Sequence, residues 1–355
     1  GMKKDIFDFE YEELVNEFSK LGLEKYRVDQ VLDWIFQKKV FDFNEMSNLS
    51  KENRTVLSER FSISLPSLID MQISNVDKTT KFLWRLEDGN TIESVLLFHS
   101  DRVTACISSQ VGCAAKCVFC ATGQSGFVRN LRAGEIVSQV VAMEFHRRVN
   151  IGNIVYMGMG EPLLNYDQVL KSVKILHSEK TKNMSMRRIS ISTVGIPEKI
   201  IKLADDLPEI KLAISLHAPN NYKRDMIVPM NKKYSVEEII YAAKEYQKKT
   251  KNRVTFEYIL IREFNDFADD AEKLAEILKG MGAYVNLIPV NPIESVSDLK
   301  MERPHYWVVE RFKKILDEHN IENEIRKEKG TDIDAACGQL RRRNVESQKS
   351  KKMEG

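Results

Sequence analysis

Cys113, Cys117 and Cys120 stand within eight residues of one another, at spacings of four and three, in Gly112-Cys113-Ala114-Ala115-Lys116-Cys117-Val118-Phe119-Cys120. One tight loop can bring three such thiolates onto a single inorganic centre. A structural zinc ion takes four protein ligands, commonly from paired Cys-x-x-Cys units. Here no fourth ligand is close by, and the next histidine downstream is His146. Iron–sulfur clusters are also held by closely spaced thiolates. Three thiolates on a four-iron cluster leave one iron open to a small molecule. Cysteine also packs as a small apolar residue, but three of only five crowded into one loop weaken that account.

The chain has 355 residues, 43% hydrophobic and 30% charged, which suits a soluble globular protein of one large domain and a smaller one. No apolar run approaches the ~20 residues that span a bilayer. The first residues carry no signal-peptide apolar core. A cytoplasmic protein without a disulfide scaffold is expected. The net charge of +2 leaves no global footprint for nucleic acid, so any such contact must be local.

The elements that position the cysteines follow from periodicity. Residues 2–62 read as a helical accessory domain. Tyr11, Leu14, Val15 and Phe18 are helically spaced, and further helices are expected near 28–38 and at 51–61, the latter capped by Ser50. Lys25, Arg27, Lys38, Lys39, Lys51 and Arg54 form either a solvated face or a grip on nucleic acid. Residues 63–98 read as a connecting β-hairpin segment, with strands at 71–74, 79–86 and 91–97 and a turn at Asp88-Gly89-Asn90. From residue 99 to 340, Val- and Ile-rich strands alternate with amphipathic helices. Strands are expected at 103–108, 153–157, 189–192, 212–216, 254–260, 284–288 and 322–325. Helices are expected at 134–149, 166–177, 197–204, 236–249, 268–279 and 304–319, the last with Pro304 in its first turn. This α/β alternation predicts a parallel sheet of six βα units, an incomplete (βα)6 barrel two units short of closure. Residues 341–355 read as a polar tail.

In such a barrel the active groups gather on loops after the strand C-termini. The cysteine loop follows the first strand. Gly158-Met159-Gly160-Glu161-Pro162 follows the second, Ser192-Thr193 ends the third, Ser215-Leu216-His217 ends the fourth, and Asn291-Pro292 follows the sixth. Gly158 and Gly160 allow close backbone approach to a ligand. Glu161 can accept from a cationic amino group, and Ser192 and Asn291 can bond ribose or adenine. Cys106 lies in the first strand and Cys337 beyond the last, in Ala335-Ala336-Cys337-Gly338-Gln339-Leu340. Spacing alone does not say that these two meet.

The Cys-x-x-x-Cys-x-x-Cys spacing with Phe119 before the last cysteine resembles the radical S-adenosylmethionine (SAM) superfamily. Gly158–Pro162 with Leu163-Leu164-Asn165-Tyr166, Arg187-Arg188-Ile189-Ser190-Ile191-Ser192-Thr193, Leu216-His217-Ala218-Pro219 and Ala335-Ala336-Cys337-Gly338-Gln339-Leu340 resemble the RlmN/Cfr family of radical-SAM RNA adenine methyltransferases. The resemblance implies that Cys113, Cys117 and Cys120 carry a 4Fe-4S cluster. It implies that Gly160, Glu161, Ser192, Ser215, Leu216, His217 and Asn291 line the SAM site. Cys337 would become S-methylated, Cys106 would resolve the covalent intermediate through a transient disulfide, and Glu93 would accept a proton near the target base.

The implied substrates are 23S rRNA and tRNA at the adenine beside the anticodon, methylated at carbon-2 with two SAM molecules per turnover. Carbon-8 of adenine, the activity of the antibiotic-resistance branch, is the alternative; Pro162 and Asn130-Leu131 resemble the carbon-2 branch. A non-catalytic RNA-binding metalloprotein is the third reading. An electron donor, a disulfide reductant, a monomer and no membrane partner are expected. Arg129, Arg132, Arg187, Arg188 and Arg341-Arg342-Arg343 are candidate phosphate contacts near the rim.

Overall fold

The computed structural model of the chain describes residues 2–291, 298–336 and 339–340. Three helices open it: α1 (Tyr11–Lys20), α2 (Lys25–Phe36) and α3 (Lys51–Arg60). Ser50 caps α3 by accepting from the Asn53 N–H at 3.1 Å. Leu14, Phe18, Val28, Val31, Leu32 and Ile35 are buried between these helices.

Three strands follow: β1 (Ser67–Ile73), β2 (Thr80–Arg85) and β3 (Thr91–Phe98). Then come β4 (Val103–Cys106), the short pair β5 (Gln110–Gly112) and β6 (Phe127–Asn130), helix α4 (Ala133–Arg147) and β7 (Asn153–Tyr156). The alternation continues through α5 (Tyr166–His177), β8 (Ile189–Thr193), α6 (Pro197–Asp206), β9 (Lys211–Ser215), α7 (Asn221–Ile227), α8 (Val236–Thr250) and β10 (Thr255–Leu260). It closes with α9 (Ala268–Leu278), β11 (Tyr284–Pro289), α10 (Tyr306–Glu318) and β12 (Glu322–Ile325).

Among the described residues, ten strands form one sheet in the order β12-β11-β10-β9-β8-β7-β4-β3-β2-β1. Pairing is parallel from β4 to β12. Its two edges do not pair with each other, so the βα units make an unclosed barrel. The expected connecting hairpin is part of that sheet: β3 pairs antiparallel with β4, setting Val95 opposite Cys106. The expected 304–319 helix begins later, at Tyr306, with Pro304 ahead of its N-cap.

The N-terminal helices are bolted to the barrel by polar contacts. Arg132 pairs with Asp5 and Asp8, the Gly134 N–H donates to Asp8 at 2.8 Å, and Lys171 pairs with Glu13 at 3.0 Å. Lys39 reaches Glu144 at 3.3 Å and Lys180 reaches Asp29 at 3.2 Å. Among the described residues, no helix is long and apolar enough to cross a membrane.

Candidate active site

A cavity of about 380 Å3 opens at the C-terminal ends of the parallel strands. Cys113, Cys117 and Cys120 line it, with Cys106, Gly160, Glu161, Ser192, Ser215 and His217. Ala335, Ala336 and Leu340, which flank Cys337 in the chain, line it as well. Cys337 itself lies outside the described residues.

The cysteine loop is braced from several sides. The β5–β6 pair forms its base, with a bulge between Val111 and Gly112. Gly112 has φ +78°, and a Cβ there would lie 1.8 Å from the Gly126 oxygen, so only glycine fits. The Ala114 N–H donates to Gln110 Oε1 at 3.2 Å, and the Val118 N–H donates to the Ile227 oxygen at 3.0 Å. Sequence reading missed β5 and β6, which are three and four residues long, too short to show a period.

Burial pushes the Cys113 thiol up to about 12, with the neighbouring Cys120 adding to the effect. It pushes Cys117 well above its ordinary value. Thiols in such surroundings ionise only against a strongly cationic centre. Three thiols opening on one cavity, walled by Ala115, Phe119, Val194, Ile259 and Ile288, suit separate corners of a larger cluster in a low-dielectric site.

Glu161 is 2% exposed and accepts from the Val194 N–H at 2.7 Å, the Leu163 N–H at 2.8 Å and the Thr193 hydroxyl at 2.9 Å. Burial nonetheless raises it to about 7, the three donors and Arg224 pulling the other way. Gly158 and Gly160 are crowded by protein: Cβ atoms there would lie 2.7 Å from Ile107 and from the Gln110 nitrogen. Their bareness lets the loop after β7 pack on the segment between β4 and β5.

His217 is buried and pushed well below its ordinary value, chiefly by burial. Its Nδ1 accepts from the Ile259 N–H at 2.9 Å, which makes the ring neutral with the proton on Nε2. It holds φ +63°, a left-handed conformation uncommon outside glycine though histidine tolerates it better than most, and meets the Phe119 ring edge-on at 4.5 Å. Burial raises Cys106 to about 12, and the nearby Arg326 charge opposes that.

Three of the expected site residues are not among those that line the cavity. Leu216 is fully buried in the core, and its N–H and C=O are taken by Glu257 and Arg224. Asn291 is buried with its side-chain oxygen accepting from Arg303 at 2.9 Å, and it is not among the residues that line the cavity. Glu93 is fully buried and pairs with Lys81 at 3.8 Å. It shares a strand face with Val95 and Leu97, which line the cavity, but does not reach the cavity surface itself.

The candidate phosphate contacts change more. Arg129 is spent on Asp88 and Glu135, and Arg132 on Asp5, Asp8 and Glu135. Arg187 and Arg188 immediately precede β8, at the end of that strand remote from the cavity. Arg341, Arg342 and Arg343 lie outside the described residues. Sequence reading also missed Glu257 and Arg326, paired at 3.2 Å on the cavity wall. Arg326 was marked only by its place just past a strand end, and Glu257 only by being a lone charge in the middle of an apolar strand.

A three-thiol loop over an unclosed parallel barrel, with a glycine- and carboxylate-bearing rim, defines a radical SAM enzyme. The Radical SAM superfamily model matches residues 107–286, and the model of the ribosomal RNA large subunit methyltransferase N-terminal domain matches residues 4–63. A probable dual-specificity RNA methyltransferase RlmN of Fervidobacterium nodosum is 79% identical over 98% of this chain and 100% of its own. Its Thermotoga maritima counterpart is 61% identical over 97% and 99%. A crystallised radical SAM methyltransferase from Sphaerobacter thermophilus superposes with a TM-score of 0.91 at 41% identity, covering 95% of this chain and 99% of that one. The chain belongs to the RlmN family of radical SAM RNA methyltransferases, which use a 4Fe-4S cluster and SAM.

Proposed function

We propose that the chain methylates carbon-2 of an adenine in 23S rRNA and in tRNA beside the anticodon, through a methyl group carried on Cys337. The observation that carries this reading is the shared cavity. Cys106, the three clustered thiols and the residues on both sides of Cys337 all face it. The segment around Cys337 is tied down at both ends. The Gly330 N–H donates to Asp77 at 2.9 Å, Asp332 accepts from Ser74 at 2.8 Å, and the Thr122 hydroxyl donates to the Leu340 oxygen.

Carbon-2 of adenine lies between two ring nitrogens and is too electron-poor to attack a methyl sulfonium, whereas a carbon radical adds to it. A cluster held by the three clustered thiols, with SAM beside it, would supply the radical chemistry this needs. Cys113, Cys117 and Cys120 hold the cluster, and Glu161, Ser192, Ser215 and His217 orient SAM. Cys337 accepts the methyl group from one SAM and presents it for hydrogen abstraction. Glu93, on the face of β3 that carries Val95 and Leu97 but set behind the cavity surface and paired with Lys81, is the residue the resemblance offers for taking the ring proton. Once the adduct has given up one electron and the ring proton, the Cys106 thiolate would attack the Cys337 sulfur, forming the S–S bond and breaking the S–C bond. The departing carbon takes a proton to complete the methyl group, and a cellular reductant reopens the disulfide. An electron donor serves the cluster. A monomer acting in the cytoplasm, where both RNAs are found, completes this reading. The N-terminal helices supply further RNA contact, and the target adenine leaves its stack to enter.

Mass spectrometry of adenosines from rRNA and tRNA, after incubation with reconstituted enzyme, SAM and reductant, tests the reading. 2-Methyladenosine in both RNAs is expected; 8-methyladenosine would assign the sister activity. Cys337→Ala should yield no methylated RNA, and turnover by that variant would overturn the scheme. Cys106→Ala should accumulate RNA crosslinked through Cys337, visible on a denaturing gel.

A further inference from the structure

Arg224 is fully buried, and among the described residues it forms no ion pair. A guanidinium taken out of water needs most of its donors satisfied. Here carbonyl oxygens do this. Nε donates to the Leu216 oxygen at 2.9 Å, and Nη2 donates to the Val194 oxygen at 2.5 Å and the Ser215 oxygen at 2.9 Å. Nη1 donates to Asn231 Oδ1 at 3.1 Å. Val194 belongs to the loop after β8, while Ser215 and Leu216 belong to the end of β9. The helix that carries Arg224, α7, also accepts the Val118 N–H of the cysteine loop on its Ile227 oxygen at 3.0 Å. One side chain and its helix therefore bind three walls of the cavity together.

Its direct partners are neutral oxygens, and the opposing carboxylate of Asp225 is reached only through Asn231, whose Nδ2 donates to Asp225 at 2.6 Å. Geometry sets this cation one residue away from both Glu161 and Cys117: Val194, whose oxygen takes Arg224, donates its N–H to Glu161 at 2.7 Å, and the Ile227 oxygen of the same helix holds the N–H of Val118, next to Cys117. We propose that Arg224 is a positioning residue that locks the cysteine loop to the ends of β8 and β9, and whose buried positive charge favours the reduced, more anionic state of the cluster. A cluster's potential follows its net charge, the hydrogen bonds around it and its exposure. A fixed cation in a low-dielectric wall lowers the cost of the added electron. The inference rests on the cluster and SAM of the family and is independent of which adenine carbon is methylated. A wrong carbon assignment therefore leaves its test intact.

Two variants of the cluster-loaded protein separate the clamp from the charge. Arg224→Lys keeps a cation, but a point ammonium cannot span three carbonyls in a planar fork. Arg224→Gln removes the charge. EPR-monitored redox titration and SAM binding by equilibrium dialysis, both normalised to iron content, are the readouts. Arg224→Lys should keep the wild-type potential and bind SAM roughly tenfold more weakly. Arg224→Gln should weaken SAM binding to a similar degree and also shift the potential negative. Wild-type SAM affinity in Arg224→Lys would overturn the clamp, and an unshifted potential in Arg224→Gln would overturn the electrostatic part. If Arg224→Gln does not assemble the cluster, Arg224→Lys alone decides through its SAM affinity. Failure of both to fold would make Arg224 a general prop of the barrel and overturn the proposal.

Discussion

Glu161 is a buried carboxylate whose charge depends on what stands beside it. Its ordinary value of 4.5 is raised to about 7 by burial, although three donors surround it. A raised acid stabilises the fold fully below its unfolded value and loses that contribution as pH climbs through the folded one. The ligand-free protein should therefore lose on the order of 3 kcal/mol of stability between about pH 4.5 and pH 7 from this residue alone. Glu161→Gln should flatten that part of the profile, which urea unfolding at several pH values would read. A cationic amino group bound at Glu161 stabilises the ionised form, so wild-type SAM affinity should weaken as pH falls below 7. In Glu161→Gln it should be weaker throughout and insensitive to pH. An unchanged slope in the variant would dissociate Glu161 from the amino group. Glu161 was legible because it stands beside two glycines after an expected strand. Arg224 was not, because nothing local marks a buried arginine whose partners are carbonyls of other strands.

At the level of elements, the barrel was legible wherever a strand or helix was long enough to show its period. The helix 166–177 matches its expected bounds, and most others shift by one to three residues at an end. What could not be read was anything shorter than a full period or defined by tertiary contact. The β5–β6 pair is of this kind, as is α7, which is held by its contacts with the site loops. The glycines of that pair allow a sharp test. Gly112 and Gly126 both have positive φ, but only at Gly112 would a Cβ strike backbone. Gly126→Ala should cost about 1 kcal/mol, the ordinary strain of a left-handed alanine, and leave cluster content unchanged. Gly112→Ala must push β5 away from β6, costing roughly 2–3 kcal/mol or more and reducing iron and sulfide per chain. Denaturant unfolding and metal analysis would check both. Equal behaviour of the two variants would mean that the pair does not brace the cysteine loop.

The whole molecule carries 54 basic and 52 acidic residues, so its net charge of +2 exerts little long-range pull on RNA. Binding must come from the few cations that are both near the cavity and uncommitted. Arg129 and Arg132 fail the second condition, since they hold the β5–β6 region and the N-terminal segment in place. Arg187 and Arg188 fail the first. Arg188 stands four residues before Ser192, the first residue of β8 to line the cavity, which is roughly 13 Å at about 3.3 Å per residue. Lys116, exposed between Cys113 and Cys117, and Lys327, exposed on the cavity wall, meet both conditions and form no ion pair among the described residues. Each phosphate contact contributes about 0.7–0.9 to the slope of log affinity against log salt. Lys116→Gln with Lys327→Gln should therefore lower the slope by about 1.5 and weaken binding to all RNA sequences alike. Arg187→Gln with Arg188→Gln should leave the slope within error of wild type. Filter binding of a tRNA at several salt concentrations distinguishes the pairs, and the reverse ranking would mean that RNA approaches the barrel from its other end.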